Sequence, residues 1–172
     1  MLKKLFFVLF IGFSVLTTQA QYLFDQGDVA INAGVGLISM DGRALSLNIS
    51  GELGLLPTGD VGVLAIGGAV EYKYSIINGQ GYNQATIGPR AIWHIHLPFL
   101  ERRNLDLYAG AGVGLKHYRE HNAVNHSYDR KIVPYGETFA GGRMLFNNNI
   151  GAFLEFGIGA IASIKAGVTY RL

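Results

Sequence analysis

Charged side chains occur at alternate positions in several segments of this sequence, for example at Glu71 and Lys73. Alternate positions of a β-strand lie on one face, so such residues would meet inside a closed sheet. In a desolvated interior, acids and bases in near balance pair with one another, because an unpaired buried charge is costly. We therefore expect a luminal ion-pair network that contains Glu52, Glu71, Lys73, Arg90, Asp106, Lys116, Glu137, Arg143, Glu155, Lys165 and Arg171.

Histidines supply a second candidate chemistry. His94 and His96 stand two residues apart, a spacing that puts both imidazoles on one strand face, where they could chelate a metal. Since the sequence fixes no third ligand, we predict neither a metal site nor a cofactor. A further group in the stretch HYREHNAVNHSYDRK could gather a divalent ion or form a solvated loop, and we favour the loop. Its members are His117, Glu120, His121, His126 and Asp129.

Alternation of apolar and polar residues dominates the chain after Ala20, whereas the 3.6-residue period of helices is hard to find. Eight segments show it, and most exceed the usual strand length of about five or six residues. The predicted strands are 29–37, 45–55, 61–75, 84–97, 105–118, 132–146, 150–159 and 163–172.

The two faces of these strands differ in a way that favours one architecture. One face is apolar and almost free of charge, and the other combines the paired charges with many of the 24 glycines. Small residues and ion pairs suit the packed interior of a narrow barrel. A secreted lipocalin-like barrel, with its polar face outward, is the competing architecture. We predict an all-β, eight-stranded antiparallel up-and-down transmembrane barrel.

The N-terminus indicates export. Residues 1–20, MLKKLFFVLFIGFSVLTTQA, combine a basic start, an apolar stretch and a small-x-small cleavage site, as in a signal peptide. A membrane anchor is the alternative, but the apolar run is shorter than the roughly 20 residues that a spanning helix needs. We therefore assign 1–20 to a signal peptide and 21–172 to the barrel domain.

The charge balance argues against nucleic-acid binding, and the cysteine content excludes disulfides and thiolate metal sites. Removal of Lys3 and Lys4 lowers the basic count from 14 to 12, equal to the 12 acids, so nucleic-acid binding has no electrostatic basis. The chain contains no cysteine, so it can form neither disulfides nor thiolate metal sites.

The predicted connections alternate between short turns and longer loops. An even number of strands places both termini on the periplasmic side, so residues 76–83 and 119–131 become exterior loops, and we expect an extracellular partner to contact them. Tyr72 and Tyr74 are then expected near the outer membrane interface. Trp93, Phe146 and Tyr170 are expected near the inner one.

The late strands, PYGETFAGGRMLFNNNIGAFLEFGIG and KAGVTYRL, resemble those of small outer-membrane barrels of the OmpA and OmpX type. The resemblance implies a location in the bacterial outer membrane, contact with its lipid, and a structural or surface-interaction role. It also implies that the last strand closes the barrel and is recognised by the outer-membrane assembly machinery. Tyr170 fits that terminal signal, although Leu172 stands where phenylalanine is commoner.

Two alternative functions are compatible with the sequence. Low-specificity transport of small molecules is the first. The second is lipid A modification, since outer-membrane deacylases that resemble this chain in size place a histidine and a serine two residues apart on one strand. Here His126 and Ser127 are adjacent and would point to opposite faces of a strand, so we predict that the chain is not an enzyme.

Overall fold

The computed structural model describes residues 23–39, 45–77, 80–101, 103–122 and 127–172. Within them the chain forms eight strands, a short 3₁₀ turn at Gly59–Val61, and one four-residue helix, α1, at Pro98–Glu101. The strands are β1 (Val29–Ser39), β2 (Ser46–Pro57), β3 (Gly62–Ile77), β4 (Gln80–Ile95), β5 (Leu105–Asn122), β6 (Ser127–Leu145), β7 (Ile150–Ile158) and β8 (Ala162–Arg171).

The eight strands close into a barrel in which each strand pairs antiparallel with its neighbours in sequence. Closure comes from β1 and β8, where Ile31 lies opposite Tyr170 and Ala33 opposite Val168. The predicted eight-stranded up-and-down architecture is therefore confirmed. No helix among the described residues is long and apolar enough to cross a membrane.

The two faces of the barrel wall separate apolar from charged side chains, as the alternation predicts. Leu47, Val113 and Ile132 point outward and are each about two-thirds exposed, with 65%, 64% and 66% of their surface accessible. Glu71 and Arg143 point inward, and both are 2% exposed. The lipocalin-like alternative requires the opposite arrangement, so the structure does not support it.

Two predicted loops are mostly strand. In the first, β3 continues to Ile77 and β4 begins at Gln80, and these two residues are paired. In the second, Asn122 at the end of β5 pairs with Ser127 at the start of β6. The boundaries 76–83 and 119–131 were therefore wrong. Beyond an apolar band both faces of a sheet meet water, so the alternation that identifies a strand from sequence is lost there.

Some predictions fall outside the described residues. The proposed signal peptide, 1–20, is among them, as is His126. These remain predictions.

The rim of the barrel is uneven at the end opposite the termini. Strands β5 and β6 contain 18 and 19 residues, whereas β7 and β8 contain 9 and 10. Pairing of β6 with β7 stops at Thr138 and Ile158. A sheet formed by β3, β4, β5 and β6 therefore continues past the rim that β1, β7 and β8 define.

Outward aromatic residues lie at the two ends of the barrel. Tyr72 and Tyr74 are exposed on β3 towards the uneven rim. Trp93, Phe146 and Tyr170 are exposed at the end that carries the termini, where Trp93 Nε1 donates to Thr58 Oγ1 at 3.2 Å. This arrangement matches the predicted positions at opposite ends.

Candidate functional site in the barrel interior

The barrel interior contains most of the charged residues singled out from sequence. Lys116 and Arg171 are partly buried. The other nine are buried, and they are Glu52, Glu71, Lys73, Arg90, Asp106, Glu137, Arg143, Glu155 and Lys165. Alternation within each strand aims these side chains inward, and barrel closure brings residues from distant strands together.

The first ion cluster, called the outer cluster here, is centred on Arg90 of β4. Its guanidinium donates two hydrogen bonds to Glu137, at 2.7 and 3.0 Å, and two to Glu155, at 3.1 and 2.9 Å. The planar guanidinium is suited to such bidentate pairing. Lys165 Nζ lies 3.2 Å from Glu155 and 3.8 Å from Glu137, so the cluster joins strands β4, β6, β7 and β8.

Glu71 connects the outer cluster to the turn between β7 and β8. Its carboxylate accepts hydrogen bonds from the backbone N–H groups of Ile161 and Ala162, at 3.2 and 2.9 Å, and from the Ser46 hydroxyl. Lys165 Nζ lies 3.7 Å from the same carboxylate. Glu71 thus holds the β7–β8 turn against the lumen by satisfying buried backbone donors.

The second ion cluster, called the inner cluster here, lies nearer the termini and is centred on Arg143 of β6. Arg143 pairs with Glu52, and its Nε lies 3.1 Å from Asp106. His94 lies between the same two carboxylates, with Nδ1 3.0 Å from Asp106 and Nε2 3.5 Å from Glu52. This cluster links β2, β4, β5 and β6 across the lumen.

A layer of aromatic rings separates the two clusters. Tyr108 and Phe139 are buried with 6.5 Å between their ring centroids, in an edge-to-face arrangement. The Arg90 guanidinium lies 4.0 Å from the Phe139 ring centroid, and the Arg143 guanidinium lies 5.1 Å from that of Tyr108. Each arginine therefore has both carboxylate partners and a ring face to interact with.

Residues 23–28 form a terminal hook that closes the inner end of the lumen. The Phe24 ring is 1% exposed and stacks on His94, with 3.9 Å between ring centroids. The carbonyl oxygen of Phe24 accepts a hydrogen bond from His96 Nε2 at 2.8 Å. Gly27 N–H donates to the Gly54 carbonyl at 2.9 Å, which fixes the hook against β2.

Sequence reasoning missed this hook. Residues 23–28 precede the first alternating segment and carry no strand pattern. The available signal was an aromatic residue, Phe24, shortly before the turn-forming residues Asp25 and Gly27. Partial burial raises the pKa of the Asp28 carboxyl at the end of the hook above its ordinary value.

Three of the predicted network residues contribute differently from the others. Lys116 donates to the carbonyl oxygens of Gly159 and Ala160, both at 3.1 Å, and so belongs to the outer mouth. Arg171 donates to the Leu23 carbonyl and therefore belongs to the hook. Lys73 is buried on β3, beside the strand position of Glu71.

The histidine pair does not converge on one ligand position. His94 contacts the inner cluster, whereas His96 contacts the hook. Among the described residues, no group of three or more His, Cys, Asp or Glu side chains is arranged to hold a metal ion. In the segment 117–131, His117, Glu120, His121 and Asp129 occupy strand positions of β5 and β6.

Little open space remains beside the outer cluster. A cavity of about 10 Å³ is bordered by Asn48, Glu71, Tyr135 and the cluster residues. That volume corresponds to about one water molecule.

Comparison with solved structures relates this architecture to known proteins. The N-terminal β-barrel domain of Pseudomonas aeruginosa OprF matches with a TM-score of 0.56 and 18% identity, covering 86% of this chain and 98% of that one. Yersinia pestis Ail, the attachment invasion locus protein, matches with a TM-score of 0.51 and 11% identity over 86% of this chain and 99% of Ail. Neisserial surface protein A matches with a TM-score of 0.51 and 16% identity over 84% of this chain and 93% of that one.

These neighbours are eight-stranded outer-membrane β-barrels. No protein-family model matches the sequence, and no curated protein sequence matches it. At identities of 11 to 18% the likeness concerns the fold, so it agrees with the predicted resemblance to OmpA- and OmpX-type barrels at that level. The chain therefore has the fold of the small eight-stranded outer-membrane barrels.

Proposed function

We propose that this chain is an integral protein of the bacterial outer membrane, with a plugged lumen and a structural or surface-interaction role. The observation that carries the proposal is the apolar outer face of a closed barrel. On β5 this face runs from Leu105 to Leu115. Ten residue steps of about 3.3 Å, tilted by about 40°, give a height of about 25 Å, the height of the apolar band on outer-membrane barrels.

The filled interior supports a plugged lumen. Two ion clusters, the aromatic layer and the hook occupy the lumen, and each ion cluster joins side chains from strands that are not neighbours in the barrel wall. Eight strands enclose an interior that side chains alone can fill. Solute transport would require several of these buried pairs to separate, at a cost of several kcal/mol for each uncompensated charge.

The protruding β3–β6 sheet supports a surface-interaction role. Between Ser127 and Tyr135, β6 pairs with β5 on one side and with no described strand on the other. Exposed strand edges offer unpaired backbone groups to which an extended segment of another protein can add. This sheet, which contains most of 76–83 and 119–131, is our proposed contact surface for an extracellular partner.

Three measurements test the proposal together. The mature protein should fractionate with outer membranes, and it should migrate faster unheated than boiled on a denaturing gel. In planar bilayers the purified barrel should show no stable conductance. Recovery as a soluble periplasmic protein would refute the membrane assignment. Stable conductance would favour low-specificity transport, and loss of acyl chains from lipid A on expression would reveal an enzyme.

A further inference from the structure

His94 is enclosed by the inner cluster and the terminal hook. Its side chain is fully buried, and both ring nitrogens face acids, with Nδ1 3.0 Å from Asp106 and Nε2 3.5 Å from Glu52. A neutral imidazole carries a hydrogen on only one of its two nitrogens. The other nitrogen would then direct its lone pair towards a buried carboxylate. Only the imidazolium form has an N–H group for each acid.

The charges of the inner cluster lead to the same protonation state. Glu52 and Asp106 supply two negative charges, and Arg143, which pairs with both, supplies one positive charge. With a neutral His94 the cluster would keep one uncompensated negative charge in a buried site, which is costly. A proton on His94 brings the net charge of the cluster to zero.

Other titratable groups lie on the elements packed against the His94 ring. From β5, the neutral phenol ring of Tyr108 lies 5.5 Å from it between centroids. On β4 itself, His96 Nε2 donates to the hook carbonyl of Phe24. The acid of the hook, Asp28, lies 3.9 Å from Arg171. Because His96 and Asp28 have their partners in the hook region, the inner cluster sets the charge balance around His94.

The hook covers one face of this ring. The Phe24 ring stacks on His94 with 3.9 Å between centroids, and an aromatic face attracts a cation. Loss of the His94 proton would remove that attraction. It would also leave a net negative charge beneath an apolar side chain that keeps water away. Release of the hook would let water hydrate the charge, so deprotonation favours release.

We infer that the inner cluster stores one proton as the His94 imidazolium, and that this proton holds the terminal hook over the inner end of the lumen. Because the docked hook binds the proton more tightly than the released hook does, docking weakens as the pH rises. A single linked proton changes the docking equilibrium by up to about tenfold per pH unit. The inference goes beyond the proposed function, since neither the membrane location nor the surface contact enters into it.

The test follows the hook with a nitroxide label on the full barrel in detergent micelles. The sequence contains no cysteine, so Gln26→Cys, at an exposed position of the hook, provides one labelling site. The ratio of mobile to immobile label should rise at least about tenfold between about pH 6 and about pH 9, which lie on either side of the ordinary histidine pKa of about 6.5. The same label at Asp60→Cys, an exposed position in the turn between β2 and β3, is the control and should not respond to pH.

Two substitutions separate charge from packing. His94→Gln removes the proton-binding ring and should leave the hook mobile at both pH values. Glu52→Gln removes one acid, so the cluster is balanced without a proton and the hook should stay docked at both. The double variant His94→Gln/Glu52→Gln leaves Arg143 balanced by Asp106 and should recover docking, which a purely structural role of the His94 ring would not allow. Faster migration of unheated samples must first show that each variant is folded.

Several outcomes would overturn the inference. Imidazole NMR signals of His94, assigned by their absence in His94→Gln, should show proton loss over the same pH range in which the hook is released. Proton loss without release would refute the coupling, as would release without proton loss. A docked hook in His94→Gln, or a mobile hook in the double variant, would refute it as well. If His94 keeps its proton and the hook stays docked up to about pH 9, opposite effects of His94→Gln and of its combination with Glu52→Gln would still support the inference.

Discussion

The ring of Phe24 stacks on the imidazole of His94, with 3.9 Å between centroids and an angle of 23° between planes. The Arg143 guanidinium lies 5.3 Å from the Phe24 ring centroid. The terminal hook is therefore bound to the inner cluster through a side chain as well as through backbone hydrogen bonds. Its aromatic residue shields a group of charges from the solvent at the inner end.

We expect Phe24→Ala to lower the free energy of unfolding by up to about 3–5 kcal/mol, because a buried ring and its contacts are lost. Urea titration of the folded fraction, followed by the shift in gel mobility, measures this loss. Phe99→Ala is the matched control, since Phe99 is 63% exposed on α1. Equal losses in the two variants would mean that docking of the hook does not stabilise the barrel.

We expect Glu137→Ala to lower stability by about 3–5 kcal/mol, because one of the two carboxylates bound to buried Arg90 is removed. Thermal unfolding in detergent micelles measures the effect, with Asp60→Ala at an exposed position as the control. Bilayer recordings should show no channels, since Glu155 and the aromatic layer still fill the lumen. An unchanged unfolding temperature would contradict a stabilising role for this ion pair.

Two adjacent glycines on β3 provide a direct test of interior packing. A Cβ at position 67 would overlap with the carbonyl oxygen of Gly51 and approach Glu52, whereas a Cβ at position 68 would lie 3.6 Å from the Gly88 carbonyl oxygen. We expect Gly67→Ala to reduce the yield of folded barrel strongly and Gly68→Ala to leave it near wild type. Similar yields for both variants would mean that the wall tolerates shifts at this point.

Deletion of Tyr170 to Leu172 should prevent assembly. In the structure Tyr170 pairs with Ile31, and Leu172 N–H donates to the Val29 carbonyl at 2.9 Å. Without these residues, backbone groups of β1 would remain unpaired, and in the proposed membrane location no water could satisfy them. The amount of heat-modifiable barrel in outer-membrane fractions measures assembly. Tyr170→Leu, which keeps the backbone pairing, is the control and should assemble; a deleted chain that assembles equally well would show that other contacts suffice for closure.

Alternation alone predicted the strands and the inward residues, because a strand has a period of two and one face of this barrel is apolar. Glu71 and Arg143 could be assigned to the interior in that way. Their partners could not, since Arg143 meets Glu52 only after closure brings β6 across from β2. Contacts across a lumen depend on register and stagger, which short-range patterns do not encode.

The errors occurred where the environment changes along a strand. Arg119 and Arg130 appeared to belong to a loop because they lie on a sheet without an apolar face, yet the ladder pairs them directly. Phe24 was overlooked for the opposite reason. It is an apolar residue outside any periodic segment, and only the folded barrel provides the ring and carbonyl partners that bury it.

If the proposed membrane location holds, strand length also has a consequence for the surrounding bilayer. The outward residues of β7 run from Ile150 to Ile158, eight residue steps, against ten for the apolar band on β5. At about 3.3 Å per step and a tilt of about 40°, the apolar height is about 20 Å beside β7 and about 25 Å beside β5. A bilayer of uniform thickness cannot match both sides, so the lipids beside β7 must thin or the barrel axis must tilt. In the first case the protein would favour the thinner parts of the proposed membrane, and in the second the protruding sheet would stand at an angle to the surface.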